Sequence, residues 1–277
     1  MSQPAKEPAE KAAPAAPVLL REDANGVTTL TLNRPKQRNS LSEELMIALT
    51  REIEAVGNDA SIRAVVLAGA GPGFCAGHDL KELTAARVAE DRGRAFFAKT
   101  MKLCSTLMQA IVNCPKPVIA RVHGIATAAG CQLVASCDLA VAADEAKFAT
   151  PGVNIGLFCS TPMVALSRNV TRKHAMEMLL TGEMISAARA AEMGLVNRVV
   201  PAAELDAAVA HFAGIIASKS ALTVSIGKKA FYEQLEKPLA EAYNYASEVM
   251  VKNMLARDAE EGIGAFIEKR EPKWEDR

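Results

Sequence analysis

The stretch Val122-His123-Gly124-Ile125-Ala126-Thr127-Ala128-Ala129-Gly130-Cys131-Gln132 decides how this chain reads. Just before it, residues 118–122 (VIARV) are a short apolar run of strand character, and Gly124 breaks that run. Residues 128–136 are mostly apolar and read as a short buried helix. A strand that passes through a small-residue turn into a helix belongs to an α/β fold. Ala126, Ala128, Ala129 and Gly130 let backbone approach a ligand closely. The unpaired N–H groups at a helix start favour a developing negative charge. An earlier stretch has the same character: Gly73-Phe74-Cys75-Ala76-Gly77-His78-Asp79-Leu80. Two such N–H groups converging from separate turns make an oxyanion hole. Tight packing of small residues gives the same composition, so both readings stand at this level.

Working outward, residues 18–23 read as a strand and Asn25-Gly26 as a hairpin turn, since both positions tolerate positive φ. Residues 27–32 alternate Thr with apolar residues and form the second strand. Ser40 and Glu43 are spaced as a capping box opening a helix, with Leu41, Leu45, Leu49, Ile53 and Val56 on one face and Gly57 as its stop. Residues 64–68, 139–142 and 147–149 read as further strands, and 89–112 as one long helix. From about Thr161 helix follows helix: 162–168, 173–180, 186–193, 203–218, 221–235, 240–257 and 258–269. The predicted class is α/β with a helical back third that packs on something, another subunit being the first candidate. There is no GxGxxG after a strand, no Gly/Ser linker and no evident internal repeat.

The 277 residues carry 32 Lys+Arg and 32 Asp+Glu, a formal net charge of zero, and only 4% aromatics. That balance argues against nucleic acid as partner, and the scarcity of aromatics against a base-stacking platform. No apolar run has the length of a membrane span. Residues 1–17, rich in Ala, Pro, Lys and Glu, read as a disordered tail; Glu7 and Glu10 fit a mitochondrial presequence badly. The six cysteines make no CxxC pair and lie mostly among apolar neighbours, which reads as reduced, buried thiols in a cytoplasmic protein. The four histidines lack HExxH or HxxxH spacing, so no metal site is expected. His123 at a strand end suits a structural hydrogen bond, and His174 and His211 read as surface residues. Ser160 and Thr161 read as a helix cap, and Asp79 and Asp138 as braces of their turns.

Taken in order, Asn33-Arg34-Pro35, Asn39-Ser40-Leu41, Phe74 to Leu80, Lys116-Pro117-Val118-Ile119-Ala120, His123-Gly124, Gly130-Cys131-Gln132-Leu133, Cys137-Asp138, Thr181-Gly182, residues 191–200 and Phe266-Ile267-Glu268-Lys269-Arg270 resemble the crotonase superfamily, the enoyl-CoA hydratase/isomerase group. More narrowly, residues 77–83, 128–138 and 148–162 resemble the enoyl-CoA hydratase domain-containing protein 3 group. The resemblance implies a spiral of ββα turns over residues 18–200 and a helical region, 201–277, that builds a homotrimer or a dimer of trimers. It implies an acyl-CoA thioester as ligand, with coenzyme A part of the substrate and no separate cofactor. The thioester carbonyl would sit between the backbone N–H groups of His78 and Ala129, the latter at a position that is mostly glycine in the family. The adenine end would lie near Arg38, along Ala76 and Lys81, with Phe266 and Lys269 supplied by a C-terminal region, that of a neighbour being one candidate.

By the same resemblance, the two glutamates of the hydratases fall at Gln132 and Gly152. An amide orients water but takes no proton at pH 7, and a glycine leaves only space. The isomerase carboxylate also falls at Gly152, and the dienoyl-CoA isomerase aspartate near Ser160. Two classes of function follow: an enzyme acting on a fatty or branched acyl-CoA, nominally an enoyl-CoA hydratase, or a weakly catalytic acyl-CoA-binding regulator of lipid metabolism.

Overall fold

The computed structural model describes residues 16–277. The tail expected over residues 1–17 therefore lies outside the described residues, apart from its last two positions. Strands β1 (Leu19–Ala24) and β2 (Val27–Leu32) form an antiparallel hairpin. Asn25 (φ 51°) and Gly26 (φ 76°) supply the two left-handed residues that a tight two-residue hairpin turn requires. Helix α1 (Glu43–Gly57) starts later than the sequence suggests. Its cap is Ser42, whose hydroxyl accepts the Leu45 N–H at 3.2 Å. Ser40 is unavailable, because its hydroxyl is engaged by Arg34 at 3.1 Å and Asp79 at 3.3 Å. The stripe Leu45, Leu49, Ile53 and Val56 is fully buried as expected.

Next come β3 (Ala64–Gly69), β4 (Gly73–Cys75), α2 (Leu80–Ala86) and α3 (Arg94–Asn113). The single helix expected at 89–112 begins only at Arg94. Gly93 is left-handed (φ 87°), and the Asp91 carboxylate accepts the Gly93 and Ala95 N–H groups at 2.9 and 2.8 Å, which sets the start. Then follow β5 (Val118–Val122), β6 (Ile125–Thr127), α4 (Ala129–Ser136), β7 (Leu139–Ala143) and β8 (Lys147–Ala149). The back of the chain holds α5 (Pro162–Asn169), α6 (Arg172–Thr181), β9 (Ile185–Ser186), α7 (Ala187–Met193) and β10 (Arg198–Val200). It ends in α8 (Leu205–Ala217), α9 (Ala221–Leu235), α10 (Leu239–Met254) and α11 (Arg257–Glu268). Among the described residues no single helix is long and apolar enough to cross a membrane.

The strands form a six-stranded sheet, β1-β2-β3-β5-β7-β10, and a four-stranded one, β4-β6-β8-β9. Successive pairs β3/β4, β5/β6 and β7/β8 each place one strand in the larger sheet and the next in the smaller. Helices follow the pairs, and the repetition generates the crotonase-like α/β spiral of ββα turns with a helical C-terminal region. A second apolar cluster lies where α8 covers the larger sheet, joining Val66, Ile119 and Val141 to Leu205, Val209 and Ala213.

Helix α9 is fastened to this body by a buried ion pair. Lys228 Nζ donates to Asp138 Oδ2 at 2.7 Å and to the Ile111 and Lys116 carbonyls at 3.1 Å each. Asp138 also accepts the Tyr232 hydroxyl at 2.9 Å and the Val118 N–H at 2.7 Å. Every polar atom of the pair is thus engaged, which is the condition under which a buried pair holds.

The hand-over from β6 to α4 is set by two close contacts. A Cβ on Gly130 would stand 2.1 Å from the Cys75 carbonyl oxygen, so only glycine lets α4 begin against the end of β4. Ala128, just before α4, sits at φ 50°, ψ −119°, a region glycine occupies freely and alanine does not. Its N–H is held by the Ala149 carbonyl at 2.9 Å.

Two outcomes follow for urea unfolding. Lys228→Met strands the Asp138 carboxylate and lowers stability by about 3–5 kcal/mol; an unchanged midpoint would show that the pair holds nothing. Ala128→Gly raises stability by about 1 kcal/mol, because strain relief of roughly 1–3 kcal/mol outweighs the ~0.4–1 kcal/mol of added unfolded-chain freedom. A lower midpoint for that variant would show that Ala128 is unstrained.

Candidate functional site

The site forms where β4 and β6 stop pairing. The two strands run parallel, with Cys75 opposite Ala126, and the Thr127 hydroxyl donates to the Ala76 carbonyl at 3.2 Å. Beyond that point the chains diverge. Leu41 donates to the Gly77 carbonyl at 2.7 Å, and Asp79 donates to the Leu41 carbonyl at 3.1 Å. In a parallel bridge made through residues 77 and 79, the N–H of residue 78 points away from its partner strand. Gly77 (φ 94°) carries the turn toward α4: a Cβ there would stand 2.9 Å from Ala128 Cβ and 3.3 Å from the Ala129 nitrogen. The two glycine-bearing turns therefore abut. Ala129 is the first residue of α4, where a helical N–H has no intrahelical acceptor. Among the described residues, neither the His78 nor the Ala129 N–H donates to a protein acceptor. Ala129 keeps an ordinary negative φ, and the unusual backbone falls instead on Ala128, a feature the sequence does not announce.

A polar brace holds the first turn. Arg34 donates to Asp79 Oδ2 at 2.8 Å and to the Ser40 carbonyl at 2.6 Å. Asn39 donates to the Ala70 and Gly73 carbonyls at 2.8 Å each. Asp79 also caps α2 by accepting the Lys81 N–H at 3.0 Å. Burial pushes the Asp79 carboxyl up, but Arg34 and the Lys81 N–H outweigh it and hold it below the usual carboxylate range. Asp79 and Asp138 are thus the braces the sequence suggested. His123 Nε2 lies 2.8 Å from the Gly71 carbonyl, the structural role expected of it. The His78 ring is different: both nitrogens are buried and neither has a protein partner, and burial lowers its pKa to about 4. It is neutral at pH 7.

Behind the second turn, Gln132 is only 4% exposed and its Oε1 accepts the Cys104 thiol at 3.7 Å. Gly152 corrects an expectation, since the room expected there is occupied. A Cβ on it would meet the Leu157 carbonyl oxygen at 2.7 Å and Cys159 Sγ at 2.9 Å. The segment folds back on itself, Leu157 donating to the Gly152 carbonyl at 2.9 Å. Ser160 and Thr161 do not cap as expected: Thr161 precedes α5 without a side-chain cap bond, and the Ser160 hydroxyl donates to the Phe158 carbonyl at 3.3 Å. All six cysteines are free and buried. Burial pushes the Cys75, Cys104 and Cys131 thiols up to about 12. Burial also raises Cys159, against the opposing Gly152 N–H. These thiols are protonated at neutral pH and are not nucleophiles.

Of the residues expected along a nucleotide-bearing ligand, Arg38 and Ala76 are brought together, the Ala76 N–H donating to the Arg38 carbonyl at 3.0 Å. Arg38 is exposed with φ 48°, and Lys81 extends from the first turn of α2 into solvent. Phe266 and Lys269 are not brought there within one chain. Helix α11 packs on α9 and α10, and Phe266 is 85% exposed.

Residues 22–277 match the family model described as enoyl-CoA hydratase/isomerase. Human enoyl-CoA hydratase domain-containing protein 3, mitochondrial, is 50% identical over 90% of this chain and 81% of its own length. Its Xenopus laevis counterpart is 46% identical over 93% and 86%. The crystal structure of an enoyl-CoA hydratase from Mycobacterium smegmatis superposes with a TM-score of 0.89 at 52% identity, covering 94% of this chain and 99% of that one. Both vertebrate relatives are named mitochondrial proteins, which overturns the expectation of a cytoplasmic protein. The expectation leaned on Glu7 and Glu10, which fit a presequence badly, and on buried reduced thiols, which mark a reducing interior without saying which one. The chain belongs to the enoyl-CoA hydratase/isomerase family.

Proposed function

We propose that this chain binds an acyl-CoA thioester with the carbonyl oxygen between the His78 and Ala129 N–H groups, and that it hydrates enoyl thioesters poorly. One observation carries the reading: two backbone N–H groups on abutting turns lack a protein acceptor, while the positions that the resemblance gives to the glutamates hold Gln132 and Gly152, which supply no carboxylate. Preorganised donors of this kind stabilise a thioester oxyanion or enolate. Hydration also needs a base for water and an acid for the α carbon, each worth roughly 10²–10⁴-fold. Gln132 orients a water, and its amide takes no proton from it. Arg38, Ala76 and Lys81 are proposed to hold the nucleotide end, with Phe266 and Lys269 contributed by a neighbouring subunit. A regulatory acyl-CoA-binding role shares this chemistry; turnover of a thioester panel separates it from an enzyme.

The core over residues 18–200 is proposed as the ligand-binding body and residues 201–277 as the assembly region. Leu239, Tyr243, Leu255, Phe266 and Ile267 are exposed on the last two helices and the turn between them, an apolar surface of the kind an interface covers. A specific interface buries roughly 1,600 Å² and closed symmetry is the usual outcome; that the closed assembly is a trimer or a dimer of trimers is what the resemblance to the crotonase superfamily implies.

Four measurements test these readings. Calorimetry with a panel of acyl-CoA thioesters is expected to show binding, while crotonyl-CoA loses its enoyl absorbance far more slowly than about ten turnovers per second; hydration at that rate defeats the proposal. Gln132→Glu is expected to fold and gain little hydration, whereas Gly152→Glu drives side-chain atoms into the Leu157 carbonyl and costs about 1–3 kcal/mol. A Gly152→Glu variant as stable as the parent would show that the segment yields freely. Light scattering is expected to give a mass that is a multiple of three chains; a clean monomer contradicts the assembly.

A further inference from the structure

We propose that Ala129 is a positioning residue: its methyl group bars a flip of the Ala128–Ala129 peptide and so keeps the Ala129 N–H aimed out of helix α4. The inference deepens the reading above that this N–H takes the thioester carbonyl, and rests on it. One peptide plane sets the aim of that N–H. The Ala128 carbonyl accepts the Gln132 N–H at 3.0 Å, the first bond of α4. In a trans peptide the N–H points opposite to the carbonyl, so the Ala129 N–H leaves the helix at its start. It does so beside Gly77, on which a Cβ would stand 3.3 Å from the Ala129 nitrogen.

The same plane is under load. At φ 50°, ψ −119°, Ala128 holds the angles of the first central residue of a type II′ turn, a position that glycine dominates. Rotating the 128–129 peptide by half a turn converts this into a type I′ arrangement, in which both central residues have positive φ. Ala128 then enters the small left-handed region open to L-residues, which relieves part of its strain. Ala129 leaves its negative φ for a positive one, which the Cβ of an L-residue disfavours by roughly 5–30-fold in population. The flip also parts the Ala128 carbonyl from the Gln132 N–H and turns that oxygen to where the Ala129 N–H had pointed. A thioester oxygen would then meet an oxygen instead of a donor. Strain at residue 128 pushes toward the flip, and the methyl group at residue 129 opposes it. A glycine at 129 would offer no such opposition.

The test is residue-resolved hydrogen exchange on the full chain without ligand. The Gln132 N–H loses its acceptor in the flip. The Ala128 N–H, bonded to the Ala149 carbonyl at 2.9 Å, keeps its own, as does the Leu133 N–H one position further into α4. In Ala129→Gly the Gln132 amide is expected to exchange roughly 5–30 times faster than in wild type, the factor by which the flipped population grows. Ala128 and Leu133 are expected to keep their rates. Ala129→Ser, which retains a Cβ, is expected to match wild type. No acceleration at Gln132, equal acceleration of all three amides, or Ala129→Ser as fast as Ala129→Gly overturns the proposal. Should Ala129→Gly not fold, the same ratio is read in the Ala128→Gly background, where the strain before α4 is gone. Saturating butyryl-CoA is then added to the glycine variant. It is expected to slow Gln132 to the wild-type rate, because a carbonyl held at the Ala129 N–H requires the unflipped peptide. If butyryl-CoA binds and leaves Gln132 fast, or does not bind, the acyl-CoA reading fails, while the ligand-free exchange still decides the role of the methyl group.

Discussion

The contact between Gly130 and the Cys75 carbonyl governs this molecule. Helix α4 starts against the end of β4 only because residue 130 has no Cβ, which would stand 2.1 Å from that oxygen. Once α4 is fixed there, the first helical N–H, of Ala129, has no acceptor in its own helix. Gly77 brings the other turn alongside, and the bridge to Leu41 directs the His78 N–H away from the strand it pairs with. The Arg34–Asp79 pair and the Asn39 amide lock that turn from behind. The larger sheet, the buried α1 stripe and the Lys228–Asp138 pair hold the spiral that carries both turns.

What surrounds the two N–H groups differs from what proton-transfer chemistry needs. Gln132 is occupied by a thiol, and the Gly152 position is covered by its own chain at Leu157 and Cys159. The neighbouring thiols are held protonated by burial. Backbone N–H groups without a protein acceptor are present while bases are scarce. On the function proposed above, a site so arranged binds and polarises a carbonyl without moving a proton, and the His78 ring, neutral at pH 7, adds no acid to it.

Much of the fold was legible because it rests on local rules. Asn25-Gly26 dictates its hairpin, and the period of Leu45, Leu49, Ile53 and Val56 dictates the buried face of α1. Boundaries failed where a distant partner took the deciding side chain: Ser40 is drawn off by Arg34 and Asp79, so Ser42 caps instead. Strands β4, β6 and β10 are three residues each, too short for any alternation to register. The ββα repetition came from the family resemblance alone, because the units share a path through two sheets and no residue pattern. At the site, both glycine-bearing turns and Gln132 were readable from residue type and resemblance. The strain at Ala128 and the placement of His78 were not, since they depend on segments far apart in the chain, Ala149 for the one and Leu41 for the other; the closure over Gly152 is made by Leu157 and Cys159, close by, but no residue type announces that fold-back.

The central claim is that two backbone N–H groups grip a thioester carbonyl. Isotope-edited infrared spectroscopy of butyryl-CoA labelled with ¹³C at the carbonyl reads that grip directly. Bound to this protein, the carbonyl stretch is predicted to move to lower wavenumber than in water, as two fixed donors polarise the bond. A bound thioester whose carbonyl band stays at its solution position would contradict the account, because the ligand would then be held by its coenzyme A portion alone.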